Sequence, residues 1–478
     1  MNNCIILTAK QPGNYGRSAG PYRLASFLRE NNWETDIVDY FTRWNRDDLA
    51  KYLNAHINEN TRWIGISYTW LTDDKAIDAI REVSAFVKKL NPNILIIVGG
   101  QTPYEHDLGA DYYIYGYAEY ALLKVLDYEF NNGLPLVYDK KFGGKYIDAF
   151  HNHAAYSLKD YNTSYQANDF LELGDVLSIE FSRGCKFKCD FCTFPFIGIK
   201  EDTSTSEEML YRELMTNYEK WGIKTYYVAD ETINDRIEKL IKIKNVVKRL
   251  PFEPDFTGFT RADLFRSHPE KIELMAEARI WGQYYGVETF NHESGKSIGK
   301  GLNPDYVKES ILNVRDYFLK HVGKYRGTIS MIAGLPHETI DSMRESQQWL
   351  LDNWSDQSVN WWSLHIVNNG TLSAMGKDFK KYGYSEIEHT SARAGEMQDL
   401  LLNDHLYWRN EHTDIFEVND LVKNEFGNKF KLGNFFLWYL LPYMKYEDAV
   451  KIDCSDQNLL RLGDVARISK YIKQKKVS

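Results

Sequence analysis

Short apolar runs alternate with helix-length segments in two separate series along this 478-residue chain, and that alternation restricts its fold more than any other feature. In the first series Cys4 to Thr8, Thr35 to Tyr40, Trp63 to Tyr68, Ile94 to Val98 and Asp111 to Tyr115 read as strands. Pro21 to Asn31 and the amphipathic stretch Asp74 to Leu90 read as helices, with Pro21 suited to a first helical position. Strands separated in this way predict an α/β unit with a doubly wound parallel sheet, whose ligands collect beyond the carboxyl ends of the strands. The turns at that edge are Lys10 to Gly20, Gly99-Gly100-Gln101-Thr102 and Gly116-Tyr117-Ala118-Glu119.

Residues 131 to 174, with Asn131-Asn132-Gly133 and Gly143-Gly144, keep no sustained period and read as a connector. The second series begins with Val176 to Phe181. It continues through Lys224 to Val228, Asp255 to Phe259, Gln283 to Val287, Thr328 to Ile332 and Asn360 to Ile366. Ser204 with Glu207 predicts a capping box before a helix over Glu208 to Trp221, and Pro269 opens a helix ending near Ala278. Six strand-helix repeats make most of a barrel of parallel strands, whose reactive end is built from the loops after the strands. From about 390 onward the pattern is mainly helical, with an aromatic segment Phe435 to Tyr443. The predicted organisation is 1–130, a sheet domain; 131–174, a connector; 175–372, a partial (β/α)6 barrel; and 373–478, a helical cap.

Composition matters here for what it excludes. With 58 basic and 67 acidic residues the net charge is 58 − 67 = −9, which argues against broad nucleic-acid binding through phosphate neutralisation. The run Phe435 to Met444 is interrupted by Pro442 and falls well short of the ~20 apolar residues of a bilayer span. Met1 to Lys10 lacks the basic and apolar regions of a secretory signal, so a cytoplasmic location is expected.

Of five cysteines, three fall together in Ser182-Arg183-Gly184-Cys185-Lys186-Phe187-Lys188-Cys189-Asp190-Phe191-Cys192, directly after the first barrel strand. An odd, sparse count is a poor disulfide framework, and clustered thiols in such a chain point to metal or redox chemistry. The spacing Cys-x3-Cys-x2-Cys can hold three irons of a cubane and leave the fourth open, whereas an electron carrier normally uses four cysteines per cluster. A zinc knuckle would want a fourth closed ligand, and the neighbouring sequence offers none. Cys4, in an apolar strand, and Cys454, in a polar stretch, read as incidental thiols.

On these residues the chain resembles the radical S-adenosylmethionine (SAM) superfamily, in the spacing, in the position after the first strand and in Phe191 before the last cysteine. The resemblance implies a [4Fe-4S] cluster on Cys185, Cys189 and Cys192, SAM on the open iron, and a 5′-deoxyadenosyl radical made with an electron from an external low-potential donor. It extends through the later strand ends. Asp230 would face the methionine part of SAM, with a helix cap as the alternative, and Arg261 would meet the SAM carboxylate, with a surface salt bridge as the alternative. Glu288, in Gly286-Val287-Glu288-Thr289, would point toward SAM. Gly334 and Leu335, in Gly334-Leu335-Pro336-His337-Glu338-Thr339, would lie beside adenine, with His337 standing where the family has glycine. Asn369-Gly370-Thr371 resembles a turn that serves the fold.

The first domain resembles the cobalamin-binding domain of one radical SAM class. The resembling pieces are Arg17 to Pro21 with Gly20, Trp33 to Asp39, Gly99-Gly100, and Gly116 with Glu119. The Asp-x-His-x-x-Gly motif that supplies a histidine to cobalt elsewhere is absent from the loop after the first strand, so cobalt without a protein ligand, or a domain that binds no corrin, are both compatible. The resemblance implies a cobalamin-dependent methyltransferase acting on an unreactive carbon of an unidentified substrate. The alternatives are a radical oxidoreductase, cyclase or rearrangement enzyme without methyl transfer and, more remotely, an iron-sulfur electron-transfer or binding protein. Trp361, Trp362 and the Phe435 to Tyr443 segment read as core before cavity lining.

Overall fold

The computed structural model describes residues 3–8, 17–69, 74–100, 106–152, 158–159, 162–171, 175–192, 203–301, 303–366, 373–387, 406–427, 429–430, 448 and 468–477. The Lys10 to Gly16 part of the first turn, Gln101-Thr102, Asn369-Gly370-Thr371, Phe435 to Tyr443 and Cys454 lie outside them. Two compact units result, one of residues 1–179, 212–223 and 461–478, the other of 180–211 and 224–460. Among the described residues no helix is long and apolar enough to cross a membrane.

In the first unit, strands β1 (Asn3–Leu7), β2 (Glu34–Val38), β3 (Thr61–Ser67), β4 (Leu95–Gly100) and β5 (Tyr112–Tyr115) pair in parallel in the order β2-β1-β3-β4-β5. Helices α1 (Ala19–Glu30), α2 (Arg46–His56), α3 (Asp74–Leu90) and α4 (Glu119–Phe130) supply the crossovers. Central strand residues such as Ile64, Ile96 and Tyr112 are fully buried, as strands covered on both faces must be. The strand order reverses at β1 and β3, which places the ligand crevice of a doubly wound sheet there.

The connector reading of 131–174 is corrected. Residues 139–148 form a hairpin, β6 (Asp139–Lys141) and β7 (Gly144–Asp148), and β7 adds in parallel to β5, extending the sheet to seven strands. β6 is wholly exposed and β7 has only Ile147 buried, so no apolar alternation announces them.

The second sheet has six strands: β8 (Val176–Ile179), β9 (Thr225–Val228), β10 (Asp255–Thr260), β11 (Ile280–Glu288), β12 (Arg326–Ala333) and β13 (Ser358–Ser363), neighbouring one another in chain order. The pairs from β9 to β13 are parallel, as a partial barrel requires. Intervening helices include α5 (Glu207–Trp221), α6 (Ile237–Arg249), α7 (Glu270–Glu277), α8 (Pro304–His321) and α9 (Ile340–Trp354). Their starts follow from local chemistry. Asn303 accepts from the Asp305 amide with Pro304 in the first turn, and Thr339 and Ser342 cap each other reciprocally. The predicted Ser204 cap is corrected to Ser206, whose hydroxyl accepts from the Met209 amide at 3.2 Å, while Ser204 accepts from Lys242.

The described part of the C-terminal region is not purely helical. It carries an antiparallel pair, β14 (Ser385–Glu386) and β15 (Trp408–Arg409), ahead of α10 (Ile415–Asp420). Trp408, Ile415 and Val418 share a core with Ala333, Leu335 and Ile366, so this segment packs on the carboxyl ends of β12 and β13.

Candidate active site

A buried carboxylate fixes the entry to the cysteine loop. Asp230 follows β9 and is 1 % exposed. Its oxygens accept from the Phe181 amide (2.7 Å), the Ser182 amide (3.0 Å), the Ser182 hydroxyl (2.7 Å) and the Lys239 ammonium (3.0 Å). Lys239, itself buried in α6, also meets Asp235 at 2.7 Å and the Thr232 carbonyl at 2.8 Å. Burial pushes the Asp230 carboxyl up from its ordinary value, and the Lys239 ammonium opposes that push. Asp230, expected beside the methionine part of SAM, has both oxygens engaged by the chain itself and so pins the entry to the loop. Nor does Asp230 cap a helix, since α6 begins at Ile237 behind Arg236.

Beyond this pin the loop wraps rather than spirals. Gly184 takes φ +87°, open to glycine, and the Cys192 amide donates to the Cys189 carbonyl at 3.1 Å. Two neighbours clamp the loop, as the Asp190 amide donates to the Ile298 carbonyl (3.1 Å) and the Asp190 carbonyl accepts from the Met375 amide (2.9 Å). The Cys185 thiol lies 3.9 Å from the Thr232 hydroxyl, and Cys189 accepts from the Arg261 guanidinium at 3.4 Å.

Arg261 forks onto Asp263 (2.9 and 2.6 Å) and lies 4.0 Å over the Phe187 ring. Arg261, expected at the SAM carboxylate, matches its fork to Asp263 here and gives its remaining nitrogen to the Cys189 thiol. Among the described residues no three His, Cys, Asp or Glu converge on one metal ion. A cubane takes each thiolate on a different iron, so it fits a wrapped loop with a cation beside one thiol better than a knuckle does. Cys4 belongs to β1 of the other unit. It is buried, donates to Thr35, and its thiol is pushed up to about 12 by burial.

Above the loop lies a cavity of about 150 Å³, with Phe191, Glu288, Ser330, Ile332, Trp362 and Ile366 among its walls. It opens at the carboxyl ends of β11 to β13, the reactive edge of such a barrel. Glu288 enters it from a backbone of φ +71°, and its carboxylate pairs with Lys300 at 2.9 Å. Trp362 is corrected from core to cavity wall, being 56 % exposed, whereas Trp361 packs on Phe426 and donates to Gln347.

Gly334 and Leu335, expected beside adenine, pack against the core around Trp408. A Cβ on Gly334 (φ +89°) would meet the Trp408 ring at 2.5 Å, and Leu335 is fully buried in the same core. His337 occupies its glycine position at φ +67°, so the turn keeps the left-handed backbone without the glycine. Glu338 was missed, although the Gly-Leu-Pro-x-Glu-Thr pattern displayed it. It accepts from the Thr289 hydroxyl (2.6 Å) and the Leu335 amide (3.2 Å), and burial pushes it up to about 8. Lys300 was also missed, and no periodic signal marks it.

In the first unit the predicted glycines divide in two. A Cβ on Gly100 would strike Thr69 at 2.8 Å, and one on Gly116 (φ +113°) would strike the Phe150 ring at 2.8 Å, so the chain's own packing explains both. Gly99 has nothing nearer than 3.9 Å and Gly20 nothing within 4 Å, so neither glycine is demanded by a neighbour. Gly20 opens α1, whose Ser18 cap makes no side-chain bond, and Gly99 lies near the end of β4. Both therefore leave room at the crevice edge, an arrangement that fits a large flat cofactor approaching the backbone. Glu119 is buried at the start of α4. Arg17 is internal, bonding Tyr22 (2.7 Å), Asp39 (3.0 Å) and the Phe170 carbonyl (2.8 Å).

Comparison with known proteins places this geometry. Residues 179–350 match the family model of the radical SAM superfamily and residues 9–126 that of the B12-binding domain. An uncharacterized methyltransferase of Pyrococcus horikoshii is 27% identical over 34% of this chain and 34% of its own length. The hopanoid C-2 methylase of Rhodopseudomonas palustris is 29% identical over 52% of this chain and 46% of its own. The chain thus spans between a third and a half of the length of these relatives. The fold matches that of the radical SAM methyltransferase TsrM from Kitasatospora setae, solved with cobalamin and a [4Fe-4S] cluster bound. That match has a TM-score of 0.68 at 15% identity and covers 98% of this chain and 100% of that one.

Proposed function

As a member of the radical SAM superfamily that carries a B12-binding domain ahead of its barrel, this chain is, we propose, a cobalamin-dependent methyltransferase acting on an unreactive carbon. The observation that carries the reading is the pairing of the two domains. One offers a wrapped Cys185, Cys189 and Cys192 loop under an open cavity, and the other a 2-1-3-4-5 sheet with Gly20 and Gly99 unfilled at its crevice edge. When bound, the cluster and SAM supply one-electron chemistry and cobalamin supplies methyl-transfer chemistry.

The chain's residues bind and orient. The three thiolates hold the cluster, Arg261 steadies Cys189, and Asp230 sets the path into the loop. Glu288 offers a carboxylate to the cationic portion of SAM, and Phe191 walls that end of the cavity. Gly20, Gly99 and Glu119 lie where the corrin and its tail would approach, while Gly100 and Gly116 keep the strand ends packed. An external low-potential electron donor and a cytoplasmic location belong to the same reading, supported by a sparse cysteine count.

A second reading, radical chemistry without methyl transfer, draws on Gly100 and Gly116, which the chain's own packing already accounts for. Titrating the cluster-loaded protein with hydroxocobalamin separates the two readings. Near-stoichiometric cobalt after gel filtration, lowered by Gly99→Leu, is the expected result. No retained cobalt, with SAM cleavage proceeding in its absence, would overturn the methyltransferase reading.

A further inference from the structure

We propose that Lys300 is the positioning residue that aims Glu288 into the cavity, so that SAM is received by a Lys300–Glu288 pair rather than by Glu288 alone. The inference rests on the reading of Glu288 as the SAM-facing carboxylate.

Four features of the strand end support it. Glu288 adopts φ +71°, a conformation a side-chain-bearing residue takes only when its surroundings impose it. The register of β11 against β12 shifts between Gly286 and Glu288, so the strand is bent just where the carboxylate leaves it. Lys300 bridges the bend, its ammonium donating to the Glu288 carboxylate at 2.9 Å and to the Gly286 carbonyl. A Cβ on Gly286 would lie 2.7 Å from the Glu288 carboxylate oxygen and 3.3 Å from the Lys300 nitrogen. Glycine at 286 is therefore the space into which this pair folds, which gives the Gly-x-Glu spacing a physical reason.

The pair is largely enclosed, with side chains 12 % and 10 % exposed, so neither charge has water enough to stand alone. Lys300 also lies 5.7 Å from the centroid of the Phe191 ring, next to the last cluster cysteine. Its own amide donates to the Gly295 carbonyl at 2.8 Å, which anchors it independently of the strand. One ammonium thus ties the bent strand end, the carboxylate and the aromatic side of the cysteine loop together, and leaves Glu288 as a wall of the cavity.

The test measures SAM affinity, by equilibrium dialysis on the anaerobically reconstituted 478-residue chain, for wild type, Lys300→Met, Lys300→Arg, Glu288→Gln and Lys300→Met with Glu288→Gln. Iron content and the electron paramagnetic resonance change of the reduced cluster on adding SAM are recorded alongside. Lys300→Met should weaken SAM binding about tenfold or more with iron retained, Lys300→Arg should recover most of it, and Lys300→Met should add little once Glu288 is Gln. An equal loss from Lys300→Met in both backgrounds, or no loss, would overturn the proposal. Unchanged affinity in Glu288→Gln would instead overturn the reading of Glu288. If Lys300→Met loses iron, Gly286→Ala serves in its place. That substitution displaces the pair without deleting a charge, and wild-type SAM affinity in it would count against the pair.

Discussion

Replacing Asp230 by Ala should release the cysteine loop and cost the protein much of its stability. The carboxylate serves four donors, and truncation orphans them unequally. Lys239 keeps Asp235 and the Thr232 carbonyl, and the Ser182 hydroxyl can turn. The Phe181 and Ser182 amides cannot move without moving the chain. Two buried amides left unpaired cost about 1–3 kcal/mol each. The buried carboxyl's own desolvation is relieved in exchange, and the net falls near the ~3–5 kcal/mol typical of breaking a buried pair. Against a total stability of ~5–15 kcal/mol that is a large share. Asp230→Asn, which keeps one acceptor oxygen, should lose about half as much. Urea unfolding of the two variants, with iron per chain after anaerobic reconstitution, tests the argument. The order wild type, Asn, Ala is expected in both measurements. An Ala variant within about 1 kcal/mol of wild type and full of iron would refute the pin, and one that kept its iron but lost SAM would point to a direct contact.

Two further outcomes follow from the same geometry. Cys185→Ala, Cys189→Ala and Cys192→Ala should each abolish cluster retention measured by iron content and visible absorbance, while Cys4→Ala and Cys454→Ala leave iron unchanged. Retention in Cys189→Ala would break the assignment. Glu338 is pushed up from 4.5 to about 8 by burial, so the folded state holds its proton more tightly than the unfolded one. The stability this supplies is complete below about 4.5 and is lost as pH rises through about 8. Glu338→Gln should lack this dependence, so unfolding free energies compared at acid, neutral and alkaline pH should show the wild type losing ground to the variant as pH rises. Parallel curves would contradict it.

The sequence displayed the two sheets well because their strands are covered on both faces and their apolar runs are nearly unbroken, as at Ile94 to Val98. It hid the 139–148 hairpin because β6 buries nothing and β7 buries Ile147 alone. The cysteine loop was legible through spacing, which covalent ligation fixes. Partners at the strand ends were less so, since those of Asp230 and Arg261 come from afar in sequence, Lys239 from nine residues on and Cys189 from 72 residues back. Lys300 pairs with Glu288 from a segment with no period, so only three dimensions bring it forward. His337 shows the limit of motif matching from the other side, because a left-handed backbone was kept after its usual residue had gone.

In the first unit the Asp39 amide donates to the Tyr471 hydroxyl at 2.9 Å, across 432 positions, and Lys475 reaches Asp36 and the Asn168 carbonyl. Synthesis at roughly 5–20 residues per second sets an interval of about 20 seconds to a minute and a half between the two ends of that bond. Throughout it the Asp39 amide, just past strand β2, lacks the Tyr471 hydroxyl it meets in the finished fold. The domain made first is completed by a segment made long after it, so its edge at β2 stays open until that segment arrives.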